Sequence, residues 1–513
     1  MFEESPLNKM RSFIFIMFIS FSVSAKEVSV PVGEQNLTVF GISHDEFQAL
    51  GYLPKTDQDT NSVARELVER LHTKGFVASE GFVVSDTEIF LNQGLITITT
   101  VFGVEGKAKT AVERIAKTLV GKRPNINELD EALAHINGLS GVNASFALES
   151  SENRIMDPRG WTPEGNTTHY TLVVNVADQA QSFGAISIDS TPRELFKRNR
   201  ATLTQTLNTV FVGGDHLQGS FTHIWGDNKQ DQNEGSLTYF MPLSENGLYT
   251  ELYASYTASK NEVQPNVQRD FQGTNITTTL GYPVILLHDQ TLTVLGGAGY
   301  QGADQEGQPN AKVRALNTTV FYNHSDPEGN SFTGSVTLTS GDANSQSDAS
   351  ENGGFSHLRV GAGYIHALNF IGNDTELRVE GYGQWTDDLL PSAQRFLLGG
   401  SDFLRGYPTG VYSGNKGAAG TVEVGHKYFL GGDFLVGASI KAFWDTGYVS
   451  NKVASVITAN KPKSKSISSV GLAFSTDFTQ GYGMSGWLGK PLDKDNQGES
   501  LDPAFYLRLT KSW

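Results

Sequence analysis

From about residue 180 to its end, the chain alternates between apolar and polar positions with a period of two. Phe332, Gly334, Val336 and Leu338 interleave with Thr333, Ser335, Thr337 and Thr339, and Leu377, Val379 and Trp385 interleave with Arg378, Glu380 and Gln384. Successive side chains of a strand point to opposite faces, so the pattern predicts strands with one apolar and one polar face. Such strands suit a membrane barrel, with lipid outside and water inside. Roughly 330 residues, at about 20 per strand and connection, predict sixteen strands, an even number as bacterial barrels require. The polar tracts Asp227–Gly235, Ser259–Gly273 and Gly341–Gly354 are expected to be the longer, extracellular connections, and Pro242–Gly247 a short periplasmic turn. On the last strand Phe505, Leu507, Leu509 and Trp513 share one parity and are expected to face lipid.

The first third follows other periods. Lys9 and Arg11 precede the apolar run Phe13–Phe21 and then Val23-Ser24-Ala25, the order of a secretory signal peptide. That run is shorter than the roughly 18 residues a membrane span needs. Residues 1–25 are therefore expected to be removed, leaving Lys26 first. Next come a short strand, Leu37–Phe40, and a short helix, His44–Leu50. A longer helix is capped near Thr60 or Asn61, buries Val63, Ala64, Leu67, Val68 and Leu71 on one face, and stops at Gly75. Strands follow, and Leu95–Phe102 closes the unit. Residues 104–179 repeat the order, with a helix Ala108–Leu119 and a second helix capped by Asn127 that runs through Leu129, Leu133 and Ile136 to Gly138. Val142–Leu148 and Tyr170–Val176 are its strands, separated by an insertion, Ser151–Thr168, that carries Trp161 and Pro163. Each unit is expected to leave a sheet edge open to an extended peptide.

Composition narrows the classes. The 55 glycines, 10% aromatic residues and mean hydropathy of -0.27, with no long apolar run after the N-terminus, argue against a helical membrane protein. The same numbers suit a barrel, in which only half of each strand meets lipid. The absence of cysteine excludes a disulfide framework or a thiolate metal site. A net charge of -16 argues against nucleic acid, which calls for a basic stripe, and fits soluble loops and domains.

One stretch carries chemistry that a plain barrel does not need. Leu398–Gly417, LGGSDFLRGYPTGVYSGNKG, sets Arg405 in a Gly-rich, turn-prone segment between alternating stretches. Beyond it, Phe434, Val436, Ala438, Ile440, Ala442 and Trp444 share one parity while Lys441, Asp445 and Gly447 share the other, and Glu423 alternates with Val422 and Val424. If the apolar parity faces lipid, Asp445 and Glu423 point into the lumen, where they can meet an arginine folded back from a loop. Enzyme signatures are missing. None of the 11 histidines forms an HExxH pair, no serine sits in GxSxG, and Gly106-Lys107 lacks P-loop spacing. Gly296–Gly302 lies in an alternating strand, and the acidic tract Asp227–Glu234 lacks the EF-hand pattern. Neither an enzyme, a cofactor nor a metal site is expected.

Leu404-Arg405-Gly406-Tyr407 after Leu398-Gly399-Gly400, followed by Phe443-Trp444-Asp445-Thr446-Gly447, resembles the paired motifs of the two-partner secretion transporters. These are the outer-membrane barrels of the haemolysin secretion/activation family that export haemolysins and filamentous adhesins. Ser469–Leu472, Gly489–Leu492 and Phe505–Leu509 look like that family's last strands, and the two N-terminal units look like POTRA domains. The resemblance implies a 16-stranded transmembrane β-barrel at 180–513 preceded by two periplasmic α+β POTRA domains at 26–103 and 104–179. It implies a lumenal loop motif at 398–417, latched by Arg405, Gly406, Tyr407, Glu423, Asp445 and Gly447. Arg405 would either pin the loop while the barrel folds or take part in the transport cycle, two compatible roles; Tyr407 would hydrogen-bond, stack or merely pack. The C-terminal residues Phe505, Leu507, Leu509 and Trp513 would be read by the outer-membrane assembly machinery, although phenylalanine is the usual last residue. The implied partners are a large unfolded exoprotein, caught by the POTRA domains, and the bilayer. Members often begin with a plug helix. The ten residues Lys26–Gln35 are too few for one at 1.5 Å per residue, which shifts pore closure to the loop around Arg405. An insertase for membrane barrels is the alternative and a passive porin a third; the insertase would call for more POTRA units and a weak seam between first and last strands.

Overall fold

The computed structural model describes residues 27–32, 35–53, 55, 58–150, 168–177, 181–191, 198–226, 231–264, 267–305, 308–345, 352–369, 372, 374–401, 403–451, 463–494 and 500–513. The signal peptide, nearly all of the insertion at 151–168 and the first half of the acidic tract at 227–234 lie outside them. The described residues fall into two compact units, one comprising those up to Ile98, Val120–Ile126 and those within Leu148–Thr171, the other comprising the rest.

At the N-terminus β1 (Glu27–Val32) and β2 (Gln35–Phe40) lead into α1 (His44–Ala49) and α2 (Thr60–Thr73), followed by β3 (Glu80–Ser85) and β4 (Glu88–Asn92). The helix starts are written locally. Ser43 and Glu46 form a reciprocal capping box on α1, and the Asp59 carboxylate accepts from the Ser62 N–H at 2.7 Å to cap α2. Past α2 the chain turns at Gly75, at φ +90°. Val63, Ala64, Leu67 and Leu71 bury one face of α2 against Val28, Val30, Leu37, Val39, Ile89 and Leu91. The sheet runs β1-β2-β4-β3, with β2 and β4 parallel. The residues expected to be a bare extension thus form an added edge strand on β2.

The second set comprises β5 (Leu95–Phe102), α3 (Gly106–Ala116), α4 (Ile126–Asn137), β6 (Ala144–Ser150) and β7 (His169–Val176), with sheet order β5-β7-β6. Both sets place a first strand beside the last, with the middle one outermost. This corrects two expectations. Leu95–Phe102 does not close the first unit; it opens the second sheet, because alternation marks a strand without naming its partner. Asn127 lies inside α4 rather than capping it, since the helix starts at Ile126 behind Asn125, a residue of the same type.

The sixteen antiparallel strands from Ser182–Thr191 to Ala504–Ser512 close into a barrel. Val336, Leu338, Val379 and Trp385 are exposed on the outer face, while Thr339 and Gln384 are buried inside. Phe505, Leu509 and Trp513 are likewise exposed, Leu507 is half-buried, and Ala504 and Tyr506 are buried. The polar tracts are shorter as loops than expected. Tyr249–Gln264 and Val267–Leu286 run through most of Ser259–Gly273, and strands continue to Ser345 and resume at Gly353. Polar residues remain good ladder partners where a strand leaves the membrane, so polarity alone does not end it.

Candidate functional site: the lumenal loop

Between the neighbouring strands Thr375–Trp385 and Lys416–Phe429 the chain makes its long excursion, 386–415, pinched by a small hairpin of Phe396–Leu398 with Tyr412–Gly414. The loop therefore begins before the predicted segment at 398, and Lys416 and Gly417 belong to the wall. Leu398, Leu404, Tyr407 and Tyr412 bury their side chains against Ala419, Val449 and Ile467. Those partners lie on the lumenal parity. The loop is folded inward.

Arg405 is 6% exposed and Asp445 0%. The Asp445 carboxylate accepts from the Arg405 backbone N–H at 2.9 Å, from Nε at 3.0 Å and from Nη2 at 2.7 Å. Nη1 donates to Glu423 Oε1 at 2.5 Å, and Nη2 also reaches Thr421 Oγ1 at 2.9 Å, whose hydroxyl donates to Asp445 at 2.7 Å. The guanidinium lies 3.6 Å from the centre of the Phe443 ring. Two in-plane carboxylates and an aromatic face suit the flat, forked guanidinium, where a lysine would satisfy only part of the set. Strand register brings this about, because Thr421 pairs with Asp445 and Glu423 with Phe443 across one ladder.

Two glycines make room for it. Gly406 has φ +99°, and a β-carbon there would stand 2.9 Å from the Gly489 carbonyl oxygen. At Gly447 it would stand 2.7 Å from both Leu398 and Leu404. Tyr407 donates to the Ser468 carbonyl at 3.0 Å and accepts from the Asp493 N–H at 3.1 Å, so it ties the loop to the wall rather than stacking. Arg405, Gly406, Tyr407, Glu423, Asp445 and Gly447 are thus gathered at one place. The C-terminal residues are not part of it.

A model of the haemolysin secretion/activation family ShlB/FhaC/HecB matches residues 170–473. The chain belongs to that family. It is an outer-membrane transporter of the two-partner secretion type, whose members move a secreted exoprotein partner. The heme/hemopexin transporter protein HuxB of Haemophilus influenzae is 21% identical over 481 residues, 89% of this chain and 81% of that protein. Among solved structures, CdiB from Escherichia coli superposes with a TM-score of 0.75 at 15% identity, covering 96% of this chain and 92% of CdiB. The same fold, more distantly, is that of BamA from Haemophilus ducreyi lacking POTRA domains 1–3, with a TM-score of 0.53 at 13% identity over 94% and 100%.

Two residues of this site and one further cluster in this secretion barrel are not legible in the chain's motifs. Thr421 and Phe443 complete the arginine's shell, and only strand register could name them. Farther away Asp189, on the first strand and 3% exposed, accepts from Arg200 Nε at 3.1 Å and lies 3.4 Å from Arg508 Nε on the last strand. The signal was there: Asp189 shares its parity with Ser187, opposite Ile186 and Ile188.

Proposed function

We propose that this chain recognises a large unfolded exoprotein of adhesin or haemolysin type in the periplasm and conducts it through the barrel to the cell surface. The observation that carries the reading is the inward loop held by Arg405, Asp445 and Glu423, which would serve the barrel lumen as a gate. The two β-α-α-β-β sets at 27–92 and 95–176 act as periplasmic POTRA domains. In the second sheet, the outer edge of β5 is bonded to the chain at Gly121 and Lys122, and among the described residues β6 is the other outer strand, the edge that would take an extended client beyond Ala144, which is bonded to Asn137. No nucleotide is needed, because folding of the client outside the cell makes return unfavourable. Arg405 acts as a latch that is set while the barrel folds and released during transport. Phe505, Leu507, Leu509 and Trp513 present an amphipathic last strand to the outer-membrane assembly machinery.

The test is reconstitution of export in an Escherichia coli host that lacks this system, using a signal-bearing exoprotein of adhesin or haemolysin type as the client. Client should reach the surface or the medium only when this chain is present, and should stay periplasmic when a proline replaces Phe146 on the β6 edge. Export without the chain, or a folded barrel that leaves the client periplasmic, would count against the reading. The match to the secretion family does not favour the insertase alternative. Loss of other barrels from the outer membrane on depletion of this chain would favour it.

A further inference from the structure

Arg405 holds only the far limb of the loop. The near limb has its own seat. Leu390 is fully buried among Val313, Ala343 and Phe355, which lie on three consecutive strands, Gln308–Ser325, Ser331–Ser345 and Gly353–Ala367. Its N–H donates to Asn415 Oδ1 at 2.9 Å, and its carbonyl accepts from Arg395 Nε at 3.1 Å. Four residues on, the Gln394 carbonyl accepts from Arg359 Nη2 at 3.2 Å and from Gln384 Nε2 at 3.1 Å. The Gln394 amide meets Gln301 on strand Gln290–Gln305 at 3.2 Å and His357 Nε2 at 3.1 Å.

We propose that Leu390 and Gln394 form a second catch of the lumenal loop, on the opposite flank from Arg405, and that this catch releases first when a polypeptide enters. The inference rests on reading the loop as the gate.

Topology gives the two catches separate walls. The near limb touches the strands from Gln290–Gln305 through Thr375–Trp385. The Arg405–Tyr407 limb touches those from Lys416–Phe429 through Tyr482–Pro491. The loop thus braces nine consecutive strands from a single pair of roots. Chemistry orders the release. At Arg405 a buried cation meets two buried carboxylates, and parting them exposes charge in a dry site. The wall groups that hold Gln394 are two glutamine amides, an imidazole and the half-buried Arg359, none of them a carboxylate, and water replaces such wall bonds with little net loss. The buried Arg395 gives its Nε to Leu390 within the limb itself. Water is also at hand. A cavity of about 260 Å³ lies between Pro391–Ala393 and the wall carrying Ser255, Thr257 and Asn275, large enough for several water molecules. The near limb can therefore swing into existing space, whereas the far limb has Gly406 packed on Gly489.

Because the chain has no cysteine, introduced thiols label without background. Gln301 and Gln394 meet end to end, which sets their backbones too far apart for the roughly 7 Å limit of a disulfide, so the pair Gln301→Cys/Gln394→Cys is joined with a short bismaleimide. The full chain, checked for heat-modifiable folding, is then read in planar bilayers and in the export assay. We expect Leu390→Ala/Gln394→Ala to raise the frequency of large conductance steps at least about tenfold, and the cross-linked pair to lose those steps and the export, while each single cysteine capped with N-ethylmaleimide keeps both. A cross-linked chain that fluctuates and exports like its uncross-linked form overturns the catch. So does an unchanged step frequency in the folded alanine pair. Conductance involves no client, so steps that vanish on cross-linking while the uncross-linked chain exports nothing would sustain the catch and remove the secretion reading.

Discussion

Two buried aspartates in this barrel each meet arginine, and they hold different things. Asp445 sits with Arg405 and Glu423, whose side chains are 0%, 8% and 11% exposed, so both signs of charge are out of water. Asp189 is as deeply buried at 1%, but its partners Arg200 and Arg508 remain 31% and 41% exposed. The first cluster fixes a loop to a wall. The second ties the first strand to the last, where the ladder spans Ala185–Asp189 against Arg508–Ser512 and is continued by the Gly184–Trp513 backbone pair, shorter than that between Ser182–Thr191 and Arg198–Leu207. The lesson concerns the cation. A buried guanidinium cannot be left without its anion, while a half-exposed one can turn to water. The loop latch is thus all-or-none, and the seam clamp is graded.

The sharpest way to break the comparison is Arg405→Ala, which leaves two buried carboxylates without their main cation. It should cost about 3–5 kcal/mol of local stability, enough to free the far limb, and should give larger, noisier pores in planar bilayers. Asp445→Ala should do nearly the same, and Arg405→Lys should rescue only part, because an ammonium cannot serve both carboxylates, the threonine and the ring together. Unchanged conductance in folded Arg405→Ala would remove the latch.

Asp189→Ala should have a smaller effect, about 1–3 kcal/mol, because Arg200 and Arg508 rehydrate. It should appear as a lower temperature for the heat-modifiable gel shift, with conductance kept. If it instead equalled Arg405→Ala in the pore assay, seam and loop would be one gate. Salt offers a milder probe. Raising the ionic strength from about 0.1 to 1 M shortens the screening length from about 10 to 3 Å and should lower that shift temperature in wild type but not in Asp189→Ala. The loop should not respond.

The smallest effect lies outside both clusters. Burial pushes the His135 imidazolium of α4 down from the usual histidine range, against the pull of Glu131 at 3.8 Å, where the ring packs on Gly247 of a barrel turn. Below about pH 6.5 the unfolded chain takes up the proton more readily than the folded one, so this packing is stable above that range and weakens as pH falls through it. Protection of the α4 amides, taken relative to the intrinsic exchange rate at each pH, should fall between about pH 6.5 and 5, and His135→Gln should flatten the response. Protection that does not change with pH in wild type would take His135 out of the junction's balance.

Much of this was legible along the chain. Alternation alone separates the lipid face from the lumenal face, because strand geometry forces side chains to opposite sides, and it puts Asp445 and Glu423 on the lumenal one. Local chemistry wrote the helix start at Ser43 and the stop at Gly75, and the Gly-rich setting of Arg405 marked an irregular backbone with a charge to satisfy. Sequence does not carry the register between distant strands. Register chose Thr421 and Phe443 as the rest of the arginine's shell, brought Arg508 across some 300 residues to Asp189, moved Leu95–Phe102 into the second sheet, and seated Leu390 among three strands. A period of two says which face a residue takes. Which residue stands opposite is settled only when the barrel closes, because each ladder is fixed by both of its neighbours at once.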